Sequence, residues 1–158
     1  ATTGTITLAS AIDITESVTI TGAGTVTLDG GGTNRIFEIN NAASLLNVTL
    51  SGLTFQNGLS AVDGGAVAVT DDENVTVRDS LFTGNSAVNG GALYFTGGIL
   101  QIFNTTFSLN NASSGGGAVY VEDGVIQIED SEFTGNTAVN DGGGLYAANL
   151  YGGVITGT

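Results

Sequence analysis

Residues 82–119 read FTGNSAVNGGALYFTGGILQIFNTTFSLNNASSGGGAV, and two signals inside this stretch each occur twice. Phe82-x-x-Asn85 returns as Phe107-x-x-Asn110, and Gly90-Gly91-Ala92-Leu93 returns as Gly116-Gly117-Ala118-Val119. Working outward, glycine pairs stand at Gly64-Gly65, Gly90-Gly91, Gly116-Gly117 and Gly142-Gly143, each 26 residues from the last. Phe55, Phe82, Phe107 and Phe133 follow at steps of 27, 25 and 26, and Asn136 closes the third Phe-x-x-Asn. A constant step of this length is the mark of a repeat architecture, because one such unit cannot bury its own apolar face and must stack on its neighbours.

Upstream of each Phe lies a short alternating run: Val48-x-Leu50, Val75-x-Val77, Leu100-x-Ile102 and Ile126-x-Ile128. A second apolar run follows each glycine pair, as in Ala66 to Val69 and Ala118 to Val121. Period-two alternation of β-branched residues reads as strand, giving about three short strands per repeat. No segment carries the 3,4 spacing of an amphipathic helix, and 26 glycines in 158 residues oppose one. The chain is therefore expected to be all-β, each strand pairing with its equivalent one coil along. Stacking predicts inward ladders Val75/Leu100/Ile126 and Val77/Ile102/Ile128, an aromatic ladder Phe82/Phe107/Phe133, and an amide ladder Asn85/Asn110/Asn136. Tyr94, Tyr120 and Tyr146, one period apart, read as a stacked external ladder. The glycine pairs are expected at corners that need positive φ.

With both tetrapeptides alternating in register, the chain resembles the polymorphic membrane proteins of intracellular bacteria and related surface proteins. Gly64 to Val67, Gly90 to Leu93 and Gly116 to Val119 match Gly-Gly-Ala-aliphatic, and Phe82 to Asn85, Phe107 to Asn110 and Phe133 to Asn136 match Phe-x-x-Asn. The resemblance spans roughly residues 45–150 and implies a single-stranded, right-handed parallel β-helix, a β-solenoid of about six coils. Gly144 stands where the pattern has Ala, and Gly58 stands where it has Asn. In the family such coils serve adhesins, shed surface proteins and enzymes.

Residues 1–44 keep the strand rhythm without the tetrapeptides, in five runs: Thr5 to Leu8, Ile12 to Ile14, Val18 to Ile20, Val26 to Leu28 and Arg35 to Ile39. Gly22-Ala23-Gly24 and Gly30-Gly31-Gly32 read as turns between them. With no linker in sight, residues 1–158 form one domain: irregular coils over 1–44, regular repeats over 45–150, and the start of an incomplete last coil over 151–158. At ~4.8 Å per coil the column would stand about 30 Å tall.

Cys is absent, which leaves no disulfide framework and no thiol site. The start Ala1-Thr2-Thr3 reads as what a cleaved secretory signal leaves behind, and the longest apolar stretches fall far short of a membrane span. A secreted protein at the extracellular surface is expected, with no membrane insertion. Fifteen acidic residues face only Arg35 and Arg78, a formal charge of -13, which excludes a phosphate backbone as partner.

Chemistry-bearing residues are few. Asp71-Asp72-Glu73 and Glu122-Asp123 fall on equivalent turns two coils apart and are the candidate calcium ligands, although Gly97-Gly98 interrupts them. No other cofactor is expected. Asp79 and Asp130, three residues before Phe82 and Phe133, would lie ~9.6 Å apart, within reach of an inverting glycosidase pair. Asn104 between them suggests a row of turn residues instead, and without Lys or His a polysaccharide lyase has no base. The chain is expected not to be an enzyme. Arg78 is expected to pair with neighbouring acids. Asn47, Asn74, Asn104 and Asn111 head glycosylation triplets.

Neither end of the sequence shows a cap. Thr5, Ile6, Thr7 and Leu8 at one end and Val154, Ile155 and Thr156 at the other read as bare strand edges. Such edges suit heterologous head-to-tail stacking of identical subunits into an open filament. The sequence thus reads as a secreted structural protein that polymerises into a fibre or surface appendage, its main partner being itself. The alternatives are a passenger segment of a larger adhesin with cell-surface or carbohydrate ligands, and a polysaccharide-active enzyme.

Overall fold

The computed structural model describes residues 3–158, so Ala1 and Thr2 of the supposed signal remnant lie outside it. All of its regular structure is strand, paired in parallel throughout. A typical coil runs Val67–Val69, Asn74–Arg78, Leu81–Thr83 and Ser86–Ala87, so the repeat has four strands rather than three. The fourth is only two residues long, too short to leave an alternating signature.

Equivalent strands pair coil on coil. One column runs from Ile12–Ile14 through Phe37–Ile39, Val67–Val69 and Leu93–Thr96 to Val119–Glu129 and Leu145–Thr156, which makes six coils. The next carries Val18, Val48, Val75, Leu100 and Ile126 in register, and beside them Ile20, Leu50, Val77, Ile102 and Ile128. Both inward ladders are therefore as the spacing predicts. A parallel crossover connection of this kind takes the right hand as a rule.

The aromatic ladder fills the middle of the column. Phe55, Phe82 and Phe107 are wholly buried, and the rings from Phe55 to Phe133 stack with centroids 4.3, 4.8 and 5.0 Å apart. Leu28 and Ile6 continue that position toward the N-terminal end.

Four corners close each regular coil from Val67 onward, and each carries a left-handed residue. The first is Asp71-Asp72, Gly97-Gly98 and Asp123-Gly124; the second is Asp79, Asn104 and Asp130; the third is Asn57, Gly84, Leu109 and Gly135. The fourth is the first glycine of each pair, with φ between 59 and 63° at Gly64, Gly90, Gly116 and Gly142. The second glycine has a different reason. A Cβ on Gly65, Gly91 or Gly117 would run into the carbonyl oxygen of the equivalent glycine one coil along. One glycine sets the turn and the other lets two coils touch.

One expected turn is not a turn. Gly22-Ala23-Gly24 does not separate two strands: Val18–Asp29 is continuous and takes a register shift there, because Ala23 and Gly24 at positive φ make a bulge. Residues 152–156 pair with 125–129, so they occupy the place of the Ile126-to-Ile128 run one coil further along.

Candidate functional site

At the C-terminal edge, Leu145–Thr156 pairs on one side with Val119–Glu129, and its other side is open. Ile155 continues the Ile20-to-Ile128 ladder and is half exposed, while Phe133 and Leu145 are only partly covered. At the N-terminal edge, Gly4–Thr7 pairs only with residues 26–29, Ile12–Ile14 only with Phe37–Ile39, and residues 18–21 only with 48–51. There Ile6, Ile12 and Val18 are exposed, whereas Leu8 is half-buried. Thr5, Ile6, Thr7, Val154, Ile155 and Thr156 are thus all exposed strand residues. These edges are rows of unpaired backbone groups backed by apolar side chains, the arrangement that recruits another strand.

The candidate calcium ligands do not converge. Asp71 and Asp72 sit exposed on a corner, but the double left-handed turn swings Glu73 inward, where it is fully buried. There one carboxylate oxygen accepts the backbone N–H of Leu46, and the other meets no donor among the described residues. Glu122 and Asp123 lie two coils away, beyond Gly97-Gly98, and no grouping of three potential ligands occurs among the described residues.

Asp79, Asn104 and Asp130 are accounted for as corner residues at φ 52, 44 and 49°, and the Asn104 amide donates to Asp79 Oδ1 at 2.8 Å. Arg78 does not make the ion pair expected of it: its ladder neighbours are Ser51 and Phe103, which offer no charge. Among the described residues the ion pair is Arg35–Glu38, at 2.7 Å. Of the glycosylation candidates, Asn47, Asn104 and Asn111 are exposed and Asn74 is half-buried, its amide donating to Asn47 Oδ1.

The Phe-x-x-Asn motif has a structural account. Asn85 and Asn110 are buried; the Asn110 amide donates to Phe82 O of the coil before at 3.0 Å and to Asn136 Oδ1 of the coil after at 2.9 Å. Asn136 in turn donates to Phe107 O, and Asn85 to Phe55 O. Each Phe thus stacks in the core while its carbonyl is held by the Asn of the next coil. The family model for the Chlamydia polymorphic membrane protein repeat matches residues 79–96, 104–122 and 130–158, three blocks that contain these ladders. Residues 79–158 are polymorphic membrane protein repeats. Upstream of them the polymorphic membrane protein pattern fades in sequence but not in structure, since Gly58, standing where Asn is expected, gives its N–H to Asn85 Oδ1 at 2.8 Å. No curated protein and no solved structure matches the chain.

Sequence reasoning placed the tyrosine ladder correctly. Tyr94 and Tyr120 stack at 5.5 Å and Tyr120 and Tyr146 at 4.7 Å, half-buried on the outside. Burial, and then the charge of Asp63 beside Tyr94 and of Glu122 beside Tyr120, push both phenols above their ordinary value.

Proposed function

We propose that the chain is an extracellular, surface-exposed structural protein whose coils lengthen by stacking, a second copy setting its first coil on the last coil of the one before. The observation that supports this reading is the register of the two edges. Continuing the observed pairings by one coil puts Ile6 on Phe133, Ile20 on Ile155 and Val18 on Gly153. The same continuation sets Asp13 against Tyr146 and Glu132 against Thr5, so no carboxylate faces another across the paired positions. Apolar meets apolar, and like charges are offset.

The function is structural and not catalytic in this reading. The carboxylates at Asp79 and Asp130 serve corners, and the acidic surface supports neither nucleic acid nor a polyanionic sugar as partner. A second reading, a segment of a longer surface adhesin, is supported by the match to polymorphic membrane protein repeats, whose name places them with membrane proteins. Its further coils would then cover the same edges.

Negative-stain electron microscopy and light scattering of the 158-residue chain over a concentration series test the proposal. Unbranched filaments are expected, and they should disappear in Ile6→Asp and Ile155→Asp. Monomers at every concentration would overturn it. An intact mass of the protein at its native source well above 15.7 kDa would favour the adhesin segment.

A further inference from the structure

The outward tyrosine ladder stops one layer short. Tyr146, Tyr120 and Tyr94 lie in register, but the next position below Tyr94 is Ala68, and below that is Glu38. The Tyr94 face turned away from Tyr120 borders an open recess of about 330 Å³. That is at the small end of the range of ligand sites. Ala68, Val62, Asp63, Thr70 and the Arg35–Glu38 pair complete its lining.

The polar groups around it offer acceptance more than donation. Arg35 spends four of its five N–H donors on Gly64 O, Asp63 O, Ser60 Oγ and Glu38 Oε2, at 2.7 to 3.0 Å, so its charge is paired and most of its hydrogens are committed to protein. Asp63 uses Oδ1 to hold the backbone N–H and the amide of Asn89, and Oδ2 has no protein donor among the described residues. Glu38 Oε1 has only a long contact from the Asn40 amide, 3.4 Å.

We propose that this recess binds one pyranose ring of a neutral glycan, seated in the layer of Ala68 as the missing member of the ladder next to Tyr94. Adjacent layers of the ladder are about 4.8 Å apart, a spacing that suits one flat ring stacked on Tyr94. The axial C–H bonds of a pyranose are weakly positive and suit the negative face of an aromatic ring. Its hydroxyls supply the donors that Asp63, Glu38 and Thr70 can accept. A phenol ring fits the same gap but leaves those acceptors without partners. An anionic sugar meets Asp63 and a chain of formal charge -13.

Saturation-transfer NMR on the 158-residue chain, with methyl β-D-glucopyranoside and methyl β-D-galactopyranoside as probes, tests this. Transfer to the axial ring protons of at least one glycoside is expected, falling at least about tenfold in Tyr94→Ala and in Ala68→Tyr. Ala68→Tyr fills the recess by completing the ladder, so circular dichroism and melting should report an intact fold. Tyr146→Ala, at the far end of the ladder, should bind as the parent does. The proposal is overturned if neither glycoside shows transfer, if Ala68→Tyr binds undiminished, or if only the p-cresol or glucuronate controls bind.

Discussion

Asn85 gives both its backbone N–H and its side-chain amide to a single atom, Oδ1 of Asn110, at 3.0 and 2.9 Å. Asn110 repeats this toward Asn136, so Oδ1 of Asn110 and of Asn136 each accept two bonds from the coil below, and the amides of Asn85 and Asn110 each reach two coils. An aspartate would keep the acceptor but lose both donations from Nδ2, and would set carboxylate oxygens against Phe82 O and Asn136 Oδ1. Asn110→Asp is therefore expected to cost more than Asn110→Ala. The alanine variant strands buried groups at about 1–3 kcal/mol each. Urea titration of the two variants checks the order; equal losses would mean that the ladder acts through packing alone.

Glu73 stands at an acidic corner yet is fully buried, its carboxylate accepting from Leu46 N–H with one oxygen unpartnered. A buried charge without a full set of donors is costly. Glu73→Gln keeps the acceptor and removes the charge, so thermal melting should show it as stable as the parent or more so. Glu73→Ala should lose about 1–3 kcal/mol by orphaning the Leu46 N–H. A glutamine variant that melts as low as the alanine variant would refute the assignment of that acceptor.

How much of this the sequence discloses depends on whether the cause lies within a coil or between coils. The Phe and Asn ladders were legible because equal spacing is all that a ladder requires. The second glycine of each pair was misread as a turn residue, because its true cause, the carbonyl of Gly117 pressing on Gly91, exists only once two coils are stacked. Glu73 escaped for a related reason: two successive left-handed residues reverse the inward-outward parity that alternation assumes. The recess under Tyr94 was written in the chain as Ala68 where later coils have Tyr, but only the register turns that difference into a cavity.

Leu109 occupies a left-handed corner, φ 57°, where its equivalents are Asn57, Gly84 and Gly135, and its side chain is largely exposed. A branched residue there carries strain of about 1–2 kcal/mol. Leu109→Asn relieves most of it, since asparagine tolerates this conformation, and should raise stability by roughly 0.5–1 kcal/mol. A fall in the chemical midpoint would show that the exposed leucine makes contacts that matter more than its backbone.

Acid sensitivity should trace in part to Asp29. Hydrogen bonds from the Gln56 amide at 2.7 Å, from Gly31 N–H at 2.8 Å and from Asn57 at 3.2 Å hold its carboxyl below the usual range. The folded value is depressed, so the contribution is present above the unfolded value near ~3.9 and is lost as pH falls through the folded one. The phenols of Tyr94 and Tyr120 act in the opposite sense: their stabilisation holds below about 10 and fails as pH rises through their raised folded values. Asp29→Asn should flatten stability against pH below 4, by a fraction of a kcal/mol given how open the site is. Tyr94→Phe should shift the alkaline transition followed by tyrosinate absorbance, and an unmoved alkaline limb would remove the ladder as its cause.

Gly143 separates folding from stacking. In the coils below, the second glycine is indispensable, since a Cβ on Gly91 or Gly117 would strike the next carbonyl. At Gly143 no coil lies above, and a Cβ would come no nearer than 3.3 Å, to Asn136 O. Gly143→Ala should therefore fold and melt like the parent, whereas Gly91→Ala should be severely destabilised because two backbones must part. If a second copy sets its first coil on this edge at native spacing, that one methyl group stands where the incoming backbone must go. Light scattering should then show Gly143→Ala halting assembly at unchanged monomer stability. Filaments forming from it at the parent's critical concentration would mean that the incoming coil does not seat in the register proposed here.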